Sequence, residues 1–323
     1  MRLLTAVLLL AALALGACGE QREETGFLDE YVAGDGRVVG HDEGGDTVSE
    51  GQAYAMLIAV AERDEERFDR VWTWTREHLR RDDGLLSWRW KDGRVIDREA
   101  ATDADLDAAR ALMLAAKRFG EPRYAEDGRA LGRAVSEHET AQSVLVAGPW
   151  TRDVVNPSYW SPRAFAAIER VDLNEPTRRF TDQLTADGLP PDWAQVRSWG
   201  AVPTGPPSGG DAIYSYDAVR LPIRLAESCQ AEDRALAARL WPRLRDDPGV
   251  ARRALDGTPL TGDEHPAALA GAAAAAHAAG DEQAASELLD RAERLDEEHP
   301  SYYGGAWVEL TRAMLKPGAL GTC

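Results

Sequence analysis

Cysteine and histidine are scarce in this chain. Its 323 residues hold only Cys18, Cys229 and Cys323 together with six histidines, and none is spaced as a zinc framework requires. Basic charge is also in short supply. Against 55 Asp and Glu stand 37 Lys and Arg, a formal net charge of −18. Phosphate backbones are bound through cationic side chains, so a nucleic-acid partner is not expected. A neutral polymer would not be repelled by such a surface. Long apolar runs are missing as well: Leu3 to Leu15, broken only by Thr5, is shorter than the ~20 residues that cross a bilayer. Strand-like alternation is sparse, and the lack of a fixed-length repeat speaks against an open solenoid.

What is present is an ordinary globular composition, 44% hydrophobic and 28% charged, ample for a large core. Met1-Arg2 followed by the short apolar run reads as a signal peptide. Leu15-Gly16-Ala17-Cys18 resembles a bacterial lipobox, which implies a lipidated Cys18 at the start of the mature chain. A plain secretory signal cut near Ala17 is the alternative, and both readings export the protein. The expected organisation is a lipoprotein signal peptide over 1–18, a linker leading into the domain over 19–46, and one domain over 47–323. Export would permit a disulfide between Cys229 and Cys323, but nothing in the sequence brings them together.

Three stretches organise the domain. The first, Thr47-Val48-Ser49-Glu50-Gly51-Gln52-Ala53-Tyr54, opens with residues that can cap a helix and runs into apolar positions Tyr54, Leu57, Ile58 and Ala61 at helical spacing. Glu50 falls in the first turn, where the helix dipole tolerates negative charge and neighbouring apolar groups can keep a carboxyl protonated. In the second, Ala101-Thr102-Asp103-Ala104-Asp105-Leu106-Asp107, three carboxylates open an apolar helix. Their mutual repulsion is costly unless they are solvated, hydrogen-bonded or functional, and one of them can serve as a cap. The third is Tyr216-Asp217-Ala218-Val219-Arg220-Leu221-Pro222-Ile223-Arg224, in which Asp217 and Arg220 are neighbours on one helical face. Between these lie Leu85-Leu86-Ser87-Trp88, whose Trp88 alternates with Trp90 and is expected to share its face, and Asn156-Pro157-Ser158-Tyr159. Both Trp88 and Tyr159 suit core packing as well as an exposed stacking face.

Taken together, these motifs resemble those of glycoside hydrolase family 8, in the family's order and over nearly the whole mature chain. Gly188-Leu189-Pro190-Pro191-Asp192-Trp193 and the Tyr302-Tyr303 segment add to the likeness, although Gly304 and Gly305 stand where acidic residues are usual and weaken a specific role for the two tyrosines. The resemblance implies an all-α fold, an (α/α)6 barrel of inner and outer helices, where periodicity alone supports about eleven helices. It further implies Glu50 as general acid, Asp217 as general base and Asp105 as the carboxylate holding the sugar ring at the cleavage point, with Asp103 and Asp107 in supporting places. Trp88 and Tyr159 would touch sugar and Arg220 would support the base.

The implied reaction is inverting hydrolysis of a β-1,4-linked polysaccharide, endoglucanase first, with xylan or chitosan as alternative substrates. It needs no metal or organic cofactor. A monomer on a lipid anchor, facing the periplasm or cell exterior, is expected. A catalytically silent carbohydrate-binding lipoprotein on the same barrel, or an envelope assembly scaffold, are the competing classes.

Overall fold

A computed structural model describes residues 26–323. The expected signal peptide over 1–18, with Cys18, lies outside the described residues. Twelve α-helices follow one another along them: α1 Phe27–Tyr31, α2 Ser49–Glu62, α3 Glu65–His78, α4 Thr102–Phe119, α5 Pro122–His138, α6 Pro162–Ala167, α7 Asn174–Thr185, α8 Leu221–Ala226, α9 Ala231–Leu244, α10 Pro266–Ala278, α11 Glu282–Glu298 and α12 Tyr302–Leu315.

The even-numbered helices are the inner ones. In α2 every residue from Gly51 to Val60 is buried, and in α10 every residue from Pro266 to Ala276. A helix that is apolar all round belongs inside. The alanines of α10 also let its neighbour come close: a Cβ on Gly271 would lie 2.3 Å from the Val219 carbonyl. The outer helices are amphipathic instead. α3 buries Phe68, Val71, Trp72, Trp74 and Thr75, and α11 buries Ala285, Leu288, Leu289 and Ala292, with charged residues on their other faces.

Packing closes the ring. α2 lies against α4, α4 against α6, α6 against α8, α8 against α10, α10 against α12, and α12 returns to α2. Because each inner helix is followed by an outer one that runs back, all six inner helices start at the same end. This is the (α/α)6 barrel expected from the resemblance. α6 and α8 are short, and each is entered through a 3-10 turn, at Pro157–Tyr159 and Ala218–Arg220.

Among the described residues eight short strands, more than the sequence suggested, decorate the segments that lead into inner helices. β1 (Thr47–Val48), β2 (Arg89–Lys91) and β3 (Arg94–Asp97) form one antiparallel sheet, β4 (Thr140–Ala141) and β5 (Val144–Leu145) a hairpin, and β6 (Val154–Val155), β7 (Trp193–Arg197) and β8 (Gly200–Thr204) a third sheet. Strands of two to five residues carry too few alternations to register as a pattern.

Two local expectations change. Residues 19–46 were expected to be a linker, yet Phe27, Leu28, Tyr31, Val38 and Val39 are buried and α1 packs on α2 and α12. The domain therefore starts by Phe27, because these apolar side chains have a place in the gap between the ring's first and last helices. Thr47 and Ser49 do not cap α2 either. The Thr47 hydroxyl donates to the Val38 carbonyl at 2.7 Å, and the N-cap position falls on Val48.

Cys229, just after α8, and Cys323 form a disulfide with their Cα atoms 5.4 Å apart. It closes a loop with a sequence separation of 94. Cross-links of that length restrict the unfolded chain by about 4–5 kcal/mol in the chain-entropy view, and measured losses run at about 2–4. Cys229→Ser is thus expected to lower the midpoint of thermal unfolding, and reductant to do the same to the wild type only. A scan with and without reductant checks this; an unchanged midpoint would mean that the bridge does not form.

Candidate active site

The starts of the inner helices meet at one end of the barrel, and side chains from several of them converge on Arg220. Its guanidinium is 1% exposed, and it is surrounded by carboxylates. Nη1 donates to Asp103 Oδ2 at 2.8 Å, to the Tyr54 hydroxyl at 3.1 Å and to Glu50 Oε1 at 3.2 Å. Nη2 donates to Asp217 Oδ1 at 2.6 Å, and Nε to the Ser158 hydroxyl at 3.1 Å, which in turn donates to Asn156 Oδ1 at 2.7 Å. Tyr159 and Trp307 present their rings to the same cation, with centroids 5.3 and 5.8 Å away.

Glu50 and Asp217 are therefore brought together from 167 residues apart in sequence, on opposite sides of one planar fork. One guanidinium thus contacts both carboxylates, Glu50 at 3.2 Å and Asp217 at 2.6 Å. Both side chains remain partly open to solvent, 25% for Glu50 and 30% for Asp217. Burial raises Asp217 and the Arg220 charge opposes it; Asp192 and Asp103 raise it further, and the result is a carboxyl pushed up to about 6. Asp103 is raised well above the usual range, first by burial and then by the charge of Glu50.

Asp105 is a correction. The structure turns it away from this cluster and puts Asp103 there instead. Residues two apart on an α-helix differ by about 200° in direction, so Asp103 and Asp105 cannot face the same way. Asp105 is fully buried and its Oδ1 accepts the Leu86 N–H at 2.8 Å. Asp107, one turn beyond Asp103, does face inward. It pairs with Arg224, one turn beyond Arg220, with Nη1 to Oδ1 at 2.8 Å, and Arg110 pairs with Glu227 at 2.7 Å. A ladder of three buried ion pairs thus runs down the barrel between α4 and α8, with Arg220 at its open end.

The other residues singled out from sequence fall around this cluster. Tyr159 is buried against Arg220 and meets Trp193 edge to face, with ring centroids 6.3 Å apart. Trp88 is half-buried at the rim; its carbonyl accepts the Ser49 N–H at 2.9 Å, next to Glu50, and Arg89 lies over its ring. Trp90 packs on Trp74 instead, at 5.4 Å. A bulge between Arg89 and Trp90 breaks the alternation on which a common face depends.

Four residues of the site were not assigned a part in it by sequence reasoning. Asp103 was given a supporting place by the family resemblance, which set Asp105 at the sugar; the helical angle between the two was a usable signal. Tyr54 lies one turn after Glu50, within the first motif, and its position on that face was a usable signal. Asp192 accepts the Ser215 and Ala218 N–H groups, each at 2.8 Å, and so fixes the turn that carries Asp217; the Pro-Pro-Asp-Trp motif marked it. Tyr303 donates to the Tyr216 carbonyl at 2.6 Å and stands beside Trp307 and His265. Its motif was noticed and discounted.

A family model for glycosyl hydrolases family 8 matches residues 1–306. The chain belongs to that family. Among curated family 8 relatives, a probable endoglucanase of Novacetimonas hansenii is 35% identical over 224 residues, covering 61% of this chain and 64% of the relative. An endoglucanase of Xanthomonas axonopodis pv. citri is 30% identical over 246 residues, covering 66% and 62%. The chain thus spans a little over three fifths of the length of these relatives. A family 8 endoglucanase structure from Klebsiella pneumoniae superimposes with a TM-score of 0.73 at 25% identity, covering 89% of this chain and 96% of that one. An endo-β-1,4-glucanase from Acetobacter xylinum does so with a TM-score of 0.72 at 28% identity, covering 88% and 94%. A cold-adapted family 8 xylanase shares the fold at 18% identity and a TM-score of 0.75, covering 86% of this chain and 82% of that one.

Proposed function

We propose that this protein hydrolyses a β-1,4-linked glucan by inversion, with Glu50 as general acid and Asp217 as general base. The observation that carries the reading is the pair of partly exposed carboxylates, remote in sequence, that share one buried guanidinium; inversion requires an acid and a base of this kind with room for a water between them. In the reaction, the Glu50 proton goes to the glycosidic oxygen as the bond to the anomeric carbon breaks. Asp217 takes a proton from the water that attacks that carbon from the opposite face. Asp103, locked to Arg220 beside Glu50, takes the sugar-facing place that the resemblance had implied for Asp105. Tyr159, Trp88 and Tyr303 offer ring faces and hydroxyls along the cleft.

A glucan substrate is favoured by the endoglucanase names of the relatives. Export on a lipid anchor at Cys18 is part of the proposal, on the strength of the apolar run and the lipobox-like motif; a monomer completes it. The test is reducing-end release from carboxymethyl cellulose, mixed-linkage glucan, xylan and chitosan. Release from the glucans first is the expected result, and release from none by folded protein would overturn it.

The raised Asp217 fixes a pH dependence. A base must be ionised, so kcat/KM is expected to fall as pH drops through about 6, the value to which Asp217 is pushed. Stability runs the other way. A folded-state value above the ordinary 3.8 favours folding most at low pH, and that contribution is lost as pH rises towards about 6. A pH–rate profile alongside thermal scans checks both directions.

A further inference from the structure

Four buried oxygens without a hydrogen-bond partner belong to residues where α4 begins and α5 ends: Asp105 Oδ2, Thr102 Oγ1 and both carboxylate oxygens of Glu139. Thr102, Asp105 and Glu139 are all fully buried. The reaction described above uses none of them. An ionised carboxylate with no donor at either oxygen is very costly at such a site. A neutral one is a donor that needs an acceptor.

We propose that Glu139 is a carboxylic acid donating its proton to Asp105 Oδ2, and that this acid–carboxylate pair positions the active-site end of the barrel. The assignment gives a partner to Asp105 Oδ2 and to one oxygen of Glu139. Asp105 Oδ1 already accepts the Leu86 N–H at 2.8 Å, which leaves Oδ2 for the Glu139 proton. The charged groups facing the pair are Asp103 on α4, and Arg81 and Asp83 in the turn after α3. Arg81 opposes the rise of both carboxyls, but it is itself engaged by Asp83 at 2.8 Å and burial outweighs it. Burial holds both carboxyls well above the usual range, and the Asp105 charge adds to the effect on Glu139.

Three segments are joined by this proton. Asp105 is two residues from Asp103. Leu86 is two residues from Trp88, whose carbonyl holds the Ser49 N–H beside Glu50. The Glu139 carbonyl accepts the Val146 N–H at 2.9 Å, and the following Ala147 carbonyl caps the Thr102 N–H. Glu139 is thus a positioning residue for Asp103 and Glu50, and it touches neither.

Glu139→Gln separates the possibilities, because its amide still donates to Asp105 and cannot ionise. Unfolding midpoints of wild type and E139Q are compared from about pH 4 to about pH 9, on either side of the ordinary Glu value. A group raised by folding stabilises most below its ordinary value. The advantage of the wild type is therefore expected to be greatest at low pH and to shrink as pH rises. Should E139Q not fold, Asp105→Asn is the second variant: it keeps the acceptor for Leu86, its amide donates to Glu139, and the wild-type slope is reduced. A difference that is constant with pH overturns the proposal. So does one that grows with pH or responds to added sodium or calcium, the mark of an ionised pair holding a cation. This arm involves no substrate and stands whether or not the hydrolase reading does. The kinetic arm rests on that reading: Glu139→Ala is expected to lower kcat at least ~10-fold with KM within about 2-fold, and E139Q to restore kcat to within about 3-fold, a split that separates positioning from substrate binding.

Discussion

Glutamine at position 50 is expected to lower kcat on a soluble β-1,4-glucan by roughly 10²–10⁴-fold, the usual share of general acid–base catalysis. The substitution keeps the shape of the side chain and an oxygen for Arg220 Nη1, so the fold and the cluster stay in place. What it removes is the proton for the leaving oxygen. Asp217→Asn is expected to cost a similar factor, for the complementary reason that an amide cannot take the proton of water. The contact from Arg220 Nη2 that orients it persists through the amide oxygen. Reducing-end assays under saturating polymer measure both. A silent sugar-binding protein predicts no change in affinity or turnover from either variant, so retained release in E50Q or D217N would refute the assignment of the acid and the base.

The second large effect concerns Arg220. Replacing it by Met is expected to destabilise the folded protein by about 3–5 kcal/mol, the range for removing one partner from a buried ion pair. Three carboxyls, Glu50, Asp103 and Asp217, lose their common counter-charge at once, and Ser158 and Tyr54 lose a donor. Asp103 is 1% exposed at its side chain and has the most to lose, whereas Glu50 and Asp217 are partly wetted and can recover hydration. Lys is not a remedy. It offers one ammonium where a planar fork reaches two sides at different angles. Denaturant unfolding measures the loss, and an R220M protein as stable as the wild type would mean that the cluster is already neutral through shared protons. The remaining rungs, Asp107–Arg224 and Arg110–Glu227, lie deeper and carry no proposed chemistry, so their loss is expected to appear in stability before it appears in kcat.

Much of this molecule could be read directly from the chain. The Ala-rich α10, the apolar α2 and the amphipathic α11 announce themselves through composition and period, since burial on one side or all round is written into local sequence. Glu50, Asp217 and Arg220 were identified through motif resemblance, and Asp217 with Arg220 also through their spacing of three. The carboxylates of α4 show where such reading stops. Spacing showed three acids in alternation, and only the helix turned Asp103 towards Arg220, Asp107 towards Arg224, and Asp105 to the other side.

What the sequence determined by itself is most of the helices, their buried or half-buried character and the family motifs in which the proposed acid and base stand. These depend on residues within a turn or two of each other. What only the tertiary structure decided is non-local: the packing of α12 back on α2, the docking of α1 into that gap, the Cys229–Cys323 bridge, the choice of Asp103 over Asp105, and the full burial of Asp105 and Glu139. Each of these depends on which side chain occupies a shared space after segments tens to hundreds of residues apart have come together. No local pattern encodes that choice, because the free energy that selects it, burial of charge with or without a partner, exists only once the barrel has closed.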